Sequence, residues 1–84
     1  MLEDIEMRGF SADTVGAAAE AVAIARELSD LPLLARALYC AVEANLAAGN
    51  WETAVVVGEE AARAFARNGD RLGEYKARYL IGGA

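Results

Sequence analysis

Displaced by 40 residues, the chain meets itself at nine positions: Glu3 and Glu43, Gly9 and Gly49, Val15 and Val55, Glu20 and Glu60, Ala21 and Ala61, Asp30 and Asp70, Ala37 and Ala77, Tyr39 and Tyr79, Ala44 and Ala84. Three of the nine are alanine, a weak coincidence in a chain with 20 alanines. The others carry more weight because they fall at element boundaries. Gly9 and Gly49 precede a helix-like stretch, and Asp30 and Asp70 follow one. Self-similarity at a period of this size marks architectures in which one supersecondary unit is stacked on copies of itself. The 84 residues hold about two such units and make a single domain, 1–84.

The unit is helical. Alanine is the strongest helix former, aromatics are few, and β-branched residues cluster only at Val55–Val57. A first helix is expected over about 12–28, with Val15, Ala18, Ala19, Val22 and Ala25 as its inward stripe at 3–4 spacing. Ser11 or Asp13 can cap it. Ser29-Asp30-Leu31-Pro32 ends it, and Pro32 suits the first turn of the next helix, over about 33–48. Leu34, Ala37, Leu38, Ala41, Val42 and Asn45 form that helix's inner face. Gly49-Asn50 closes it with a residue free to take positive φ. A third helix over about 52–67 turns Ala54, Val55, Gly58, Ala61, Ala62 and Phe65 inward. Its small residues Ala54, Gly58 and Ala61 make a shelf where a neighbour can approach closely. Asn68-Gly69-Asp70 turns the chain again, and a last helix runs from about Arg71 toward Ile81. The loops are short, so successive helices are antiparallel. The fold class is all-α: stacked antiparallel helical hairpins.

Composition narrows the function. The net charge is −5 and the basic residues are scattered, which disfavours a binder of nucleic-acid backbone. Met1 is followed by Glu3, Asp4 and Glu6 rather than by a basic and then an apolar run, so no secretory leader is visible. Nothing approaches the roughly 18 consecutive apolar residues of a membrane span. The single cysteine, Cys40, cannot form an internal disulfide, so a cytoplasmic location is expected. There is no histidine, the commonest general base and metal ligand. Cys40 has no Cys or His companion, and it reads as a small semi-buried hydrophobe. Glu59 and Glu60 are adjacent and diverge around their helix. Glu3 and Glu6 could share a face, but neither pair has an apolar pocket to shift a carboxyl pKa. Gly82-Gly83 neither follows a strand nor opens a helix, so it is no phosphate loop. No enzyme, metal or cofactor is expected.

At the turn before the third helix, Gly49, Trp51, Ala54 and Ala61 resemble the G-x-Y-x-x-A pattern, with a second alanine seven residues on, of the tetratricopeptide repeat. Trp51 stands for the usual tyrosine. Gly9 and Ala21 fit in the first copy, while Ser11 and Thr14 depart. Ile81-Gly82 resembles the L-G pair of the family's first helix. Ala25-Arg26-Glu27-Leu28-Ser29-Asp30 is similar to the A-R-E-L-G-D phrase that ends its second helix. The resemblance covers about residues 9–82 and is to a long, 40-residue form found in bacterial regulators and scaffolds. It implies a fragment of an α-solenoid, with both ends cut inside a first-type helix, and a module that binds a protein or peptide without chemistry of its own. In this family the first-type helices line a concave groove. Carried over, the groove residues are Arg36, Tyr39, Glu43 and Leu46, then Lys76 and Tyr79, with Leu80 beside them. Tyr39 and Tyr79 would grip an extended peptide between Arg36 and Lys76, or else pack between helices. The family's clamp for a peptide carboxylate has lysines and asparagines where Tyr39 and Glu43 stand, which argues against that ligand. Trp51 is expected as a wedge between units. The alternative function is self-association into a homodimer through the open ends, residues 1–8 and 72–84, where Leu2, Ile5, Leu72, Tyr75, Tyr79, Leu80 and Ile81 would lack a neighbour.

Overall fold

Three turns of one design shape this protein. The computed structural model describes residues 12–82, which form four helices and no strand: α1 Ala12–Leu28, α2 Leu31–Ala47, α3 Trp51–Arg67 and α4 Arg71–Leu80. The expected turn near Gly9, the apolar Leu2 and Ile5, the Glu3 and Glu6 carboxylates, and the cap from Ser11 or the side chain of Asp13 lie outside the described residues. Between α1 and α2, Ser29 takes a left-handed φ of 54°; Gly49 (81°) and Gly69 (74°) do the same in the next two turns. Their N–H groups donate to the carbonyls of Arg26, Leu46 and Ala66, three residues back. The following residues, Asp30, Asn50 and Asp70, donate to the carbonyls of Ala25, Asn45 and Phe65, five back. This is the Schellman ending, which satisfies the last carbonyls of a helix.

The residue that completes each ending also begins the next helix. Asp30 Oδ1 accepts from the Leu33 N–H at 3.1 Å, and Asp70 Oδ1 from the Gly73 N–H at 2.8 Å. Each bond satisfies one of the donors orphaned at a helix start. Asp30 and Asp70, matched by the 40-residue displacement, are therefore caps of the helices that follow them. That is why α2 starts at Leu31, with Pro32 in its first turn, two residues ahead of the expected start. Asn50 occupies the same place before α3, but its side chain goes elsewhere. Its Nδ2 donates to Asn45 Oδ1 at 3.1 Å, and Asn45 Nδ2 donates to the Ala41 carbonyl at 2.7 Å. Both hydrogen bonds keep buried Asn45, the one polar core residue among the described residues, satisfied.

Each helix packs on its predecessor, and α2 also meets α4. The contacts are made of small residues. Ala18 of α1 meets Ala41 and Ala44 of α2, with Val15 and Val22 packed alongside. On its other side α2 sets Ala35, Leu38 and Val42 against Ala61, Ala62, Ala64 and Phe65 of α3. Leu38 and Val42 are the largest fully buried side chains. Each is worth about 1.5–3 kcal/mol of transfer free energy. Two glycines admit α4 to α3: a Cβ at Gly73 would strike the Phe65 ring, and one at Gly58 would strike Ile81. The Arg26 guanidinium pairs with the Glu60 carboxylate, linking α1 to α3 over α2. Both groups are substantially exposed, so the pair adds at most about 1 kcal/mol.

Several positions differ from the sequence expectation. Val55 and Trp51 are exposed, Trp51 by 64%. The reason is a length mismatch: α3 has 17 residues and α4 has 10, so the N-terminal turns of α3 have no neighbour on that side among the described residues. Val15, the counterpart of Val55, is half-buried because α2 runs the full length of α1. Ala19 is exposed on the rim of a cleft between α1 and α3, beside the Ala18 edge that packs on Ala41 and Ala44 of α2. Cys40 is exposed on the outer face of α2 rather than semi-buried. Glu60 is ion-paired instead of freely solvated.

Ser29 holds a conformation that costs an L-residue about 1–2 kcal/mol. Ser29→Gly is expected to raise stability by up to about 1 kcal/mol in urea denaturation, at unchanged m-value; a loss would show that the turn is not left-handed there. Ala61 is 0% exposed at the α2–α3 contact. Ala61→Leu is expected to overpack it and cost about 1–3 kcal/mol. An unchanged melting curve would contradict that packing.

Candidate partner-binding groove

The packing of α2 on α4, which are not successive helices, creates the candidate site. Phe65 of α3 is its floor. The Tyr39 ring stands edge-on to Phe65, with centroids 6.2 Å apart and planes at 79°, a favourable quadrupole arrangement. Gly73, having no Cβ, lets the Phe65 ring lie directly against α4. Tyr39, Phe65, Asp70, Leu72, Gly73 and Lys76 line a cleft of about 220 Å³. Its walls are aromatic and aliphatic; its rim carries one ammonium and one carboxylate, and the Asp70 carboxylate is held by its cap bond to Gly73.

The six groove residues expected from sequence separate into three groups. Tyr39 and Lys76 come together across the cleft. Arg36 and Glu43 are exposed on α2, one turn to either side of Tyr39 at i−3 and i+4. They extend the rim with charges of both signs. Leu46 is half-buried and packs against the core, and Leu80 does the same. Tyr79 is 69% exposed and does not line the cleft. It stacks on Tyr75, one helical turn earlier, with centroids at 6.2 Å and planes at 24°. The stacked tyrosines are thus Tyr75 and Tyr79 on one helix, not Tyr39 and Tyr79 on two.

Sequence reasoning missed Phe65, Leu72 and Asp70 as parts of this site. Phe65 was assigned to the core, and it belongs to both, being buried yet lining the cleft. The glycine was the available signal: a Gly inside a helix otherwise rich in side chains marks a close approach. A second cleft, of about 240 Å³, lies between α1 and α3 over α2. Val15, Ala19, Val22, Ala41 and Val57 line it, with the Arg26–Glu60 pair at its edge.

No group of three or more His, Cys, Asp or Glu side chains suited to a metal occurs among the described residues. No described helix is long and apolar enough to cross a membrane. No family model, curated protein or solved structure matches the chain.

Proposed function

We propose that this chain is a protein-interaction module of the tetratricopeptide kind, which holds an extended peptide in the groove between α2 and α4 and performs no chemistry. The observation that carries this reading is the cleft over Phe65, walled by Tyr39 and Leu72 and rimmed by Lys76. Rigid aromatic area costs little conformational entropy on binding, and a charge at the rim selects orientation. The fitting ligand is a short segment with one apolar anchor for the cleft between Tyr39 and Leu72 and an acidic residue next to it, within reach of Lys76 and Arg36. The 40-residue self-similarity, the uniform turns and the small-residue contacts support the kinship; each is what a stack of like hairpins needs.

The test is fluorescence anisotropy against a library of labelled peptides that pairs each apolar anchor with acidic, neutral or basic neighbours. Acidic-flanked anchors are expected to bind best. Lys76→Glu and Arg36→Glu, both at exposed positions, should each weaken binding about tenfold, or about 1.4 kcal/mol, without shifting the melting temperature. Glu43→Lys should strengthen it. Binding indifferent to all three substitutions would place the ligand elsewhere.

A further inference from the structure

The 40-residue displacement relates α1 to α3 and α2 to α4, so each contact inside the protein predicts a counterpart. One such counterpart is the contact of α3 with the end of α4. Gly58 receives Ile81 on the α4 side of α3, and their counterparts Ala18 and Ala41 lie in one cluster between α1 and α2. The α2–α3 contact is different. On the α3 side it uses Val57, Ala61 and Ala64, and the Asn68 side chain donates to the Leu31 carbonyl at 3.3 Å. The counterparts on α1 are Ala17, Ala21, Ile24 and Leu28, and all are exposed, Ile24 by 49% and Leu28 by 64%. On the α2 side the edge of the contact uses Leu31, Ala35 and Tyr39, outside the buried Leu38 and Val42, whose own counterparts are Arg78 and Gly82. The counterparts of the three edge residues on α4 are Arg71, Tyr75 and Tyr79, again exposed. The matching edges of an interface that the protein already makes are therefore displayed, uncovered, on its first and last described helices.

We propose that the chain associates head to tail with further copies of itself, α1 of one copy seated on α4 of the next in the register by which α3 seats on α2. Charge agrees with this register. Arg67 and Leu31 line one cleft at the α2–α3 contact, and their counterparts Glu27 and Arg71 carry opposite charges. The side chains that replace alanines, Ile24 for Ala64 and Tyr75 for Ala35, set the two helices wider apart than α2 and α3. The contact joins different surfaces, so each copy keeps one free α1 and one free α4, and assembly continues past the dimer. This goes beyond the groove reading and does not use Arg36, Glu43 or Lys76.

The experiment is sedimentation equilibrium over a wide concentration range on the full chain and two double variants, Ile24→Glu with Leu28→Glu, and Tyr75→Glu with Tyr79→Glu. Helical circular dichroism confirms folding; all four positions are exposed. The parent is expected to grow beyond a dimer as concentration rises. Each double variant alone should be monomeric. Mixed one to one they should form a heterodimer and stop there, because each retains the face the other lost. A charge exchange supplies a second readout: Glu27→Arg should weaken assembly, and adding Arg71→Glu should restore it. A parent that stays monomeric, as when its own residues 1–11 cover α1, would overturn the proposal. So would a dimer that survives either double variant, the mark of a face pairing with itself, or a mixture that gives no heterodimer.

Discussion

The close approach of helices through alanine and glycine is the constraint on which the rest depends. A core with only Leu38 and Val42 as large, fully buried side chains among the described residues has little apolar volume to hold it together. It gains cohesion by bringing backbones near one another, so that dispersion contacts are dense over short distances. Ala35, Ala61, Ala62 and Ala77, all 0% exposed, occupy the points of approach. Gly58 and Gly73 take this furthest, since no side chain fits where Ile81 and the Phe65 ring lie. The same choice creates the groove, because the ring over Gly73 is covered on one side and open on the other.

The turns supply the second constraint. The caps Asp30, Asn50 and Asp70 follow one another at equal intervals of 20 residues, half the displacement seen in the sequence. Helices two apart therefore begin from like turns. A face buried once is presented again, which is why the α2–α3 contact can be traced to the outer flanks of α1 and α4. The large exposed apolar residues are concentrated there and at the uncovered start of α3: Ile24, Leu28, Tyr75, Tyr79, Trp51 and Val56. Apolar residues gathered this way mark contact surfaces more than isolated ones do.

Much of this was legible in the chain. Alanine content and turn residues located the four described helices, and most of the inner face of α2 was read from its stripe, because a helix covered on two sides has a wide apolar arc; Ala35 and Ala44, also buried there, were not. What failed depended on neighbours. Val55 and Val15 occupy matched positions, yet one is exposed because α4 is shorter than α2. Tyr39 and Tyr79 are likewise matched, but only Tyr39 has a Phe65 to meet. Ala19 has the period of an inward residue and lies over a cleft, since periodicity gives direction and not the width of the partner. The Arg26–Glu60 pair joins two helices that are not sequence neighbours, so no local spacing announces it. Tyr39 and Lys76, carried over by correspondence, line one cleft, whereas the place of Phe65 there was hidden by its role in the core.

The measurement that tests this account most directly is an experimental structure of the full chain in which residues 12–40 are superposed on residues 52–80. The account predicts one hairpin twice: the same crossing of the two helices, the same left-handed residue at Ser29 and Gly69, and the same cap from Asp30 and Asp70. Different crossings in the two hairpins would contradict it. The 40-residue match would then be a coincidence of composition, and the correspondence between α2–α3 and the outer flanks would go with it.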